Sequence, residues 1–419
     1  MTETEYKEVR LGPDKLQIPS DWNLEKIEPM ISVLTGESFS SEQFNEEGKG
    51  LPLVRIRNLQ GGDTDTYFSG EYKEKYIIEP EDLLIGMDGD FHTVRWQGGE
   101  ALLNQRVAKV ETNEEINQDF LFYKLIGEIR EIQARTPATT VKHLSKSDIN
   151  EIRIPLPPLP EQRRIAEILS TVDEAIQQTD EIIETSKELK KGLMQDLMFK
   201  GIDNEDFKEV RIGPSKYEVP EDWSLEVLDD LNKDDKPICY GVLQTEEEDD
   251  SGVPIVKIED LRGNMDDPED LFKISREKHE EYSRSTITGG EVLVSVIGRI
   301  GLVDVVPKLE EEMNITRNVA RITPKKTDPI WLSYYLKSKP VQDMLSVISS
   351  TTTRSSLNIG DLRKLEVFVP PLDEQREIAE RLSVVDEKIR QEEEYREKLE
   401  ELKKGLMQDL LTGKKRVEA

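Results

Sequence analysis

The sequence predicts an α+β fold in which two mixed α/β domains are separated by two long helices that pair as an antiparallel coiled coil. Three observations predict it. An internal repeat spans most of the chain, a proline-rich segment closes each globular stretch, and a helical stretch of about 40 residues follows each closing segment. Together they indicate one structural plan used twice, with pseudo-twofold symmetry.

The repeat is clearest at the ends of each copy. Residues 9–22 match residues 210–223 at an offset of 201, with eight of fourteen positions identical. The ten residues ELKKGLMQDL at 188–197 recur unchanged at 401–410, at an offset of 213. The middles of the two copies match only in outline. Similar ends around divergent middles indicate one scaffold that carries two different binding domains, and simple duplication of an enzyme domain remains the alternative.

Each copy begins with a globular stretch, which we call the first and the second globule. In the first globule, short β-like runs at 51–56 and 83–87 alternate with Gly-rich turns, and residues 120–132 form a helical pattern. Four prolines between 155 and 160 then form an extended segment that cannot lie inside a helix. The predicted domain limits are 1–157 for the first globule, 158–201 for the first long helix, 202–370 for the second globule, and 371–419 for the second long helix and tail.

The long helices carry apolar residues at three- and four-residue steps, which predicts a coiled-coil seam of roughly 60 Å per helix. The stripe residues are Ile165, Leu169, Val172, Ile176, Ile182, Leu189, Leu193 and Leu197, then Ile378, Leu382, Val385, Ile389, Tyr395, Leu399, Leu402, Leu406 and Leu410. Two equal stripes are buried most simply against each other. Because the second globule follows the first helix, the second helix must run back antiparallel, which predicts a dumbbell.

Composition places the chain among globular proteins of a reducing compartment. The hydrophobic fraction is 36% in 419 residues, and no apolar run reaches the length of a membrane span. The single cysteine, Cys239, excludes an internal disulfide and a cysteine-based metal cluster. The acidic N-terminus is unlike a secretory signal. We therefore expect a cytoplasmic protein.

The formal net charge of −30 is unusual for a protein that binds nucleic acid. Two interpretations remain open. The protein avoids DNA, or its whole surface is acidic because it works in concentrated salt, where distant charges are screened. The even spread of Asp and Glu along the chain favours the second, halophilic interpretation.

The motifs that carry catalysis are missing from the sequence. It has no phosphate-binding GxxxxGK[ST] loop and no Gly-rich dinucleotide fingerprint after a strand. The three histidines, His92, His143 and His279, lack the spacing of metal ligands. Residues 188–190 resemble a nuclease Glu-x-Lys fragment, but they lie inside a predicted helix. We therefore predict no catalytic residue, no cofactor and no metal site.

Several of these segments resemble the conserved regions of type I restriction-modification specificity subunits. The resemblance lies in residues 158–166 and 371–379, PLPEQRRIA and PLDEQREIA, and in the helix ends at 191–197 and 404–410. The Pro-x-Asp-Trp segments at 19–22 and 220–223 are similar to the starts of that family's target recognition domains. The resemblance covers nearly the whole chain.

The resemblance implies a protein that performs no chemistry itself. Each globule would be a target recognition domain that reads half of a bipartite site in double-stranded DNA. The paired helices would act as a ruler and as a platform for two methyltransferase subunits, through which translocating restriction subunits join. These partners would carry out adenine methylation and restriction.

Residues that could contact DNA are basic or hydroxyl-bearing side chains of the globules. The candidates are Arg55, Arg57, Arg95, Thr139, Thr140, Lys142 and His143 in the first globule, and Lys257, Arg299, Arg317, Thr352, Thr353 and Arg354 in the second. Any single residue of this kind is more often a surface salt-bridge partner. The candidates for docking the methyltransferase subunits are Glu161, Gln162, Arg163, Glu374, Gln375 and Arg376, which could equally cap and pack the helices.

Two other functions remain open from the sequence. The chain could be a protein-interaction scaffold that binds no DNA, or an enzyme with an unfamiliar site, such as a fused nuclease. A gel shift at high salt with the methyltransferase partner distinguishes a DNA-binding subunit from such a scaffold, because only a DNA-binding protein would retard a duplex under those conditions. Metal-dependent cleavage by the purified chain alone would favour the second.

Overall fold

The computed structural model describes most of the chain, and it divides the chain into two compact units. The first unit is Met1–Asp180 with Glu394–Ala419, and the second unit is Glu181–Glu393. The residues described are 5–11, 14–136, 142–212, 215–244, 247–261, 263, 265, 267–308, 311–350 and 356–418.

The first globule contains thirteen described strands and two short helices ahead of a long helix. The strands are β1 Tyr6–Leu11, β2 Asp14–Pro19, β3 Asn23–Lys26, β4 Ile31–Thr35, β5 Phe44–Asn45, β6 Leu51–Val54, β7 Tyr67–Phe68, β8 Ile77–Ile78, β9 Leu83–Gly86, β10 Thr93–Arg95, β11 Ala101–Leu103, β12 Val107–Thr112 and β13 Arg153–Leu156. The helices are α1 Gln118–Arg135, α2 Lys146–Asn150 and the long α3 Leu159–Lys200.

The second globule repeats this plan with eleven described strands. They are β14 Phe207–Ile212, β15 Ser215–Pro220, β16 Ser224–Val227, β17 Cys239–Tyr240, β18 Val253–Val256, β19 Lys273–Ile274, β20 Val292–Ser295, β21 Val303–Val305, β22 Asn314–Ile315, β23 Val319–Ile322 and β24 Glu366–Val369. The helices are α4 Arg276–Glu281, α5 Pro329–Lys337, α6 Lys339–Ser350, α7 Ile359–Arg363 and the long α8 Leu372–Leu410.

The two globules share a sheet topology. An antiparallel four-stranded sheet has the order β10-β9-β12-β4 in the first globule and β21-β20-β23-β17 in the second. A second sheet, with five strands in the first globule and three in the second, contains one parallel pair in each, β6 with β11 and β18 with β22. Each globule also has an N-terminal hairpin and a two-stranded sheet that joins its start to its end. The predicted mixed α/β domains and their internal repeat are confirmed.

The central strands are apolar because both of their faces are covered. Every residue of β9 and of β20 is buried, and such strands form continuous apolar runs instead of alternating ones. One face of the four-stranded sheet of the first globule packs in a core with α1 and with Ile165 and Leu169 of α3, and the other face packs in a separate core with side chains of β6 and β11. The core of the second globule likewise takes up Ile378 and Leu382 of α8. Each globule is therefore joined to the start of its long helix by a shared core.

Helix pairing in the first unit is antiparallel. Asp173 of α3 forms an ion pair with Lys403 of α8 at 2.5 Å, and Asp180 pairs with Arg396 at 2.5 Å. Residue numbers rise along α3 as they fall along α8, so the two helices run in opposite directions. The hydroxyl of Tyr123, on α1, donates to Asp173 at 2.7 Å and links the helix pair to the first globule.

Helix pairing in the second unit repeats this arrangement. Lys187 of α3 pairs with Glu393 of α8 at 3.0 Å, and Lys190 pairs with Asp386 at 2.5 Å. The hydroxyl of Tyr334, on α5, donates to Asp386 at 2.7 Å. The same Tyr, Asp and Lys types thus meet in both units, and the predicted antiparallel pairing of the long helices is confirmed.

The predicted stripe is wrong at four of its positions. Ile182 and Leu189 of α3 are 42% and 54% exposed, and the equivalent residues of α8, Tyr395 and Leu402, are each 50% exposed. The neighbouring Ile183 is 4% exposed instead. The regular steps are interrupted between residues 176 and 182 and between residues 389 and 395, where the apolar pattern slips in phase. This slip moves the buried seam by one residue, and it leaves an apolar pair exposed on each helix at a seven-residue spacing.

A glutamine at the start of α3 binds the first globule through its buried amide. Gln162 is 1% exposed, its Oε1 accepts the backbone N–H of Asn117 at 2.8 Å, and its Nε2 donates to the carbonyl of Pro157 at 2.9 Å. Asn117 is the N-cap of α1. The preceding residue, Glu161, is 3% exposed and accepts the indole N–H of Trp22 at 3.0 Å. We call this Glu–Gln pair with its partners the first clamp.

The second clamp has the same bonds. Gln375 is 1% exposed, its Oε1 accepts the N–H of Asp328 at 2.8 Å, and its Nε2 donates to the carbonyl of Pro370 at 2.8 Å. Asp328 is the N-cap of α5. Glu374 accepts the indole N–H of Trp223 at 3.0 Å. Each long helix is therefore fixed to its globule by a glutamate and a glutamine at equivalent positions.

The second oxygen of each clamp glutamate is bound by the chain that follows the other long helix. In the first unit, Arg416 contacts Glu161 at 2.7 Å and Asp21 at 2.8 Å. Its hydrogen bond to Glu161 raises the pKa of Arg416, and its hydrogen bond to Asp21 lowers the pKa of that carboxyl. In the second unit, the N–H of Ile202 donates to Glu374 at 2.8 Å.

We expect substitution of Gln375 by alanine to destabilise the second unit. The change leaves the N–H of Asp328 and the carbonyl of Pro370 without their buried partner, which costs about 1–3 kcal/mol. Urea unfolding followed by tryptophan fluorescence measures the loss. Gln162→Ala should cost a similar amount in the first unit. Gln391→Ala, at an exposed position of α8, should change stability by less than about 0.5 kcal/mol. Equal stability of the Gln375 and Gln391 variants would contradict the clamp.

Candidate nucleic-acid interface

Three loops meet where the central strand β9 of the first globule ends. The N–H of Met87 donates to the carbonyl of Arg106 at 2.9 Å, and the N–H of Gly89 donates to that of Lys142 at 2.9 Å. Asp88 and His143 face each other in an isolated β-bridge. The backbone therefore fastens the three segments together. We call residues 87–90, 104–106 and 142–143 the first loop face.

The second globule builds the same junction at the end of β20. The N–H of Val296 donates to the carbonyl of Asn318 at 2.8 Å, and Ile297 forms an isolated bridge with Ser356. We call residues 296–299, 316–318 and 356 the second loop face. These bonds make Ile297 the counterpart of Asp88, and they make Asn318 and Ser356 the counterparts of Arg106 and His143.

Two glycines shape the loop of the second face. Gly298 and Gly301 have φ angles of +81° and +83°, a region that side chains with a Cβ rarely adopt. A Cβ on Gly301 would also come within 2.5 Å of the Gln342 side chain. This turn presents Arg299, which lies between the two glycines, as an exposed residue.

The predicted DNA-contact residues of the first globule fall into two groups. Lys142 and His143 belong to the first loop face, where His143 binds Asp88 at 2.5 Å. The others lie outside it. Arg55 stacks over the Phe44 ring at 5.1 Å, Arg57 is exposed beside Asp65, and Arg95 packs over Phe122 at 4.4 Å with an ion pair to Asp119. Thr139 and Thr140 lie outside the described residues.

In the second globule the two exposed arginines lie together on the second loop face. Arg299 and Arg317 come from different segments of that face, and both are exposed. Lys257 lies outside it, with its ammonium 3.8 Å from the centre of the Phe272 ring. Thr352, Thr353 and Arg354 lie outside the described residues.

The sequence reasoning missed Asp88 and Arg106. The Arg106 guanidinium forms an ion pair with the Asp88 carboxylate at 2.5 Å, and Asp88 also binds His143. Arg106 lies in the segment 104–106, which aligns with the segment 316–318 that contains the candidate Arg317. This alignment is a sequence signal from which Arg106 could have been proposed. The contact itself joins residues that are 18 and 55 positions apart, so spacing alone does not reveal it.

The two loop faces differ in charge. The first contains Asp88 and Asp90 beside its cations, and the second contains Arg299 and Arg317 without a described acidic residue. The backbone is shared while the side chains that it presents are not. This arrangement suits recognition of two different polar targets by one scaffold.

The six predicted docking residues are also divided by the structure. Glu161, Gln162, Glu374 and Gln375 form the clamps, and their hydrogen bonds are made inside the chain. Arg163 and Arg376 are exposed on the first turns of α3 and α8. The two arginines are thus the members of this set that a partner protein can reach.

Within the described ranges, no cluster of three or more His, Cys, Asp or Glu side chains is arranged to hold a metal ion. Among the helices of the described part of the chain, none is both long enough and apolar enough to cross a membrane.

Comparison with known proteins identifies the family. The model of the type I restriction modification DNA specificity domain matches twice, at residues 19–187 and 220–401. The type I restriction enzyme EcoBI specificity subunit of Escherichia coli is 35% identical over 378 residues, which cover 88% of this chain and 80% of that protein. The MjaVIII specificity subunit of Methanocaldococcus jannaschii is 29% identical over 412 residues, which cover 96% and 95%.

Solved structures support the fold. The type I restriction-modification S subunit from M. genitalium aligns with a TM-score of 0.60 at 17% identity, over 96% of this chain and 98% of that one. A second chain, from a structure of type I R-M complex assembly, aligns with a TM-score of 0.53 at 16% identity, over 94% and 98%. With two family matches that together span most of its length, the chain belongs to the type I restriction-modification DNA specificity subunits.

Proposed function

We propose that the chain reads a bipartite site in double-stranded DNA, with one half-site for each loop face. The observation that carries this proposal is the shared backbone of the two faces with different side chains at equivalent positions. In this proposal residues 1–157 and 202–370 are the two target recognition domains, and residues 158–201 and 371–419 supply the spacer helices.

The chemistry of the loop faces supports base reading. Arginine forms a bidentate pair with guanine in the major groove, and glutamine does so with adenine. Arg317 and its counterpart Gln105 occupy the same backbone position in the two globules and are both exposed. The remaining cations, among them Lys142 and Arg299, would position the duplex through its phosphates. Of the residues predicted from the sequence, Lys142, His143, Arg299 and Arg317 are retained as contacts of the loop faces. The hydroxyl residues 139–140 and 352–353, with Arg354, precede the third segment of each face and remain candidates.

Two equal partner sites are supported by the repeat on the long helices. Ile182 and Leu189 on α3 are exposed apolar residues, and Tyr395 and Leu402 repeat them on α8. Scattered single apolar residues are normal on a surface, but an exposed pair one heptad apart on both helices is a docking feature. We propose that these pairs, with Arg163 and Arg376, bind two copies of one methyltransferase subunit.

Catalysis in this proposal belongs to the partners. The specificity subunit carries no catalytic residue or cofactor of its own, and it directs adenine methylation by the methyltransferase subunits and cleavage by restriction subunits that join through them. The complex would act in the cytoplasm, where the DNA lies. The charge of −30 is then the property of a protein that works in concentrated salt.

Mapping of methylated adenines in the host genome tests the proposal. We expect a split motif, with two different half-sites at a fixed gap, that disappears when the gene for this chain is deleted. Restoring the gene should restore the motif. A continuous palindrome, or a methylation pattern that the deletion leaves intact, would contradict the assignment.

A further inference from the structure

We propose that Asp88 is a positioning residue that holds Arg106 and His143 in place for base reading, and that Arg106 recognises a guanine in the first half-site. The inference rests on the proposed function of the first loop face, and it names the residues that give this face its specificity.

Asp88 is a sheltered anchor with two exposed partners. Its side chain is 16% exposed, while those of Arg106 and His143 are 55% and 56% exposed. One carboxylate oxygen, Oδ2, contacts Nη1 of Arg106 at 2.5 Å, and Oδ1 contacts Nδ1 of His143 at 2.5 Å. Both oxygens of one half-buried carboxylate therefore contact two side chains that are themselves more than half exposed.

The backbone fixes where these three residues lie. Met87 and Arg106 are joined by the hydrogen bond between their main chains, and Asp88 and His143 by their bridge. The side chain of Asp88 then selects the rotamers of the other two. An arginine that is ordered before binding avoids the conformational entropy cost that ordering a flexible side chain adds to association.

The geometry of Arg106 matches guanine. Its ion pair with Asp88 is made through Nη1, and Nε and Nη2 lie on the other edge of the guanidinium as a planar pair of donors. Such a pair fits the O6 and N7 acceptors of guanine in the major groove. The anionic Asp88 repels phosphate, which directs the cluster toward base edges and away from the DNA backbone.

The neighbouring charged groups have other partners. The ammonium of Lys142 donates to the carbonyl of Gln133 at 2.7 Å, and the amide of Gln133 donates to Asp90 at 2.8 Å. Lys142 and Asp90 are therefore engaged with the end of α1, and Asp88 is the acidic residue whose carboxylate contacts Arg106.

The second loop face lacks an equivalent cluster of charged side chains. Its counterparts of Asp88, Arg106 and His143 are Ile297, Asn318 and Ser356, which carry no charge. The positioning cluster thus belongs to the first globule, and it makes the two half-sites differ in how they are recognised.

The test uses the full chain assembled with its methyltransferase partners. Fluorescence anisotropy measures binding to duplexes that carry the mapped motif, and to duplexes with one base pair changed in either half-site. We expect Asp88→Asn to lower the discrimination at one G·C pair of the first half-site roughly ten- to a hundredfold. Discrimination in the second half-site should not change. Arg106→Lys, which keeps the charge but removes the planar fork, should have the same effect at the same base pair.

Two control variants separate positioning from other effects. Glu111→Gln removes one negative charge from the same globule at the other end of β12, where Glu111 pairs with Lys109, and it should leave discrimination unchanged. Arg317→Ala should lower base discrimination in the second half-site and leave discrimination in the first half-site unchanged. Size-exclusion chromatography and thermal melting verify that each variant complex is assembled and folded.

The possible results distinguish failure of the positioning role from failure of the proposed DNA-reading function. If assembled Asp88→Asn complex discriminates every base pair of the first half-site as well as the wild type does, the positioning role is overturned. An equal loss in the Glu111→Gln complex would overturn it too, because the effect would then be one of net charge. If the wild-type complex shows no preference for either half-site, the proposed function itself fails.

Discussion

The structure depends on the Glu–Gln pair at the start of each long helix, in which the glutamine is buried in both units. A glutamine amide with both of its polar atoms buried must be fully hydrogen-bonded, because an unpaired polar group inside a protein costs about 1–3 kcal/mol. Gln162 and Gln375 meet this requirement by binding the N-cap residue of α1 and of α5, respectively, and the carbonyl of a boundary proline. Each globule can therefore take only one orientation on the start of its helix.

This constraint explains which parts of the two copies are alike. The clamps bind backbone N–H and C=O groups of the globules, together with one tryptophan indole in each, so they do not constrain the identity of the remaining side chains. The loop faces are free to differ as long as the strands that carry them end at the same place. Asp88 and Ile297 illustrate this freedom, since both stand at the same bridge position although one is charged and one is apolar. In such a scaffold the side chains of the loop faces can change while the contacts between each globule and its long helix stay the same.

The sequence was sufficient for features that repeat or that depend on local chemistry. The duplicated ends and the antiparallel helices were both predicted, because each leaves a periodic or compositional pattern. The seam was predicted in the wrong phase around Ile182 and Leu189, since a helical pattern with a slip does not show on which side of the slip the buried face continues. The clamp glutamates were predicted to dock a partner or to cap and pack the helices, but their hydrogen bonds to Trp22 and Trp223 were not predicted. Such contacts, like that of Asp88 with Arg106, join segments that are distant in sequence, so they produce no regular residue spacing from which they could be predicted.

The central claim is that the clamps make the two globules equivalent modules. Its most direct test is a chain in which residues 224–369 are replaced by a second copy of residues 23–156, expressed with the methyltransferase partners in a host without other adenine methylation. We expect the methylated motif to contain the first half-site twice. Methylation at the original motif, or an assembled complex that recognises the first half-site once only, would contradict the claim.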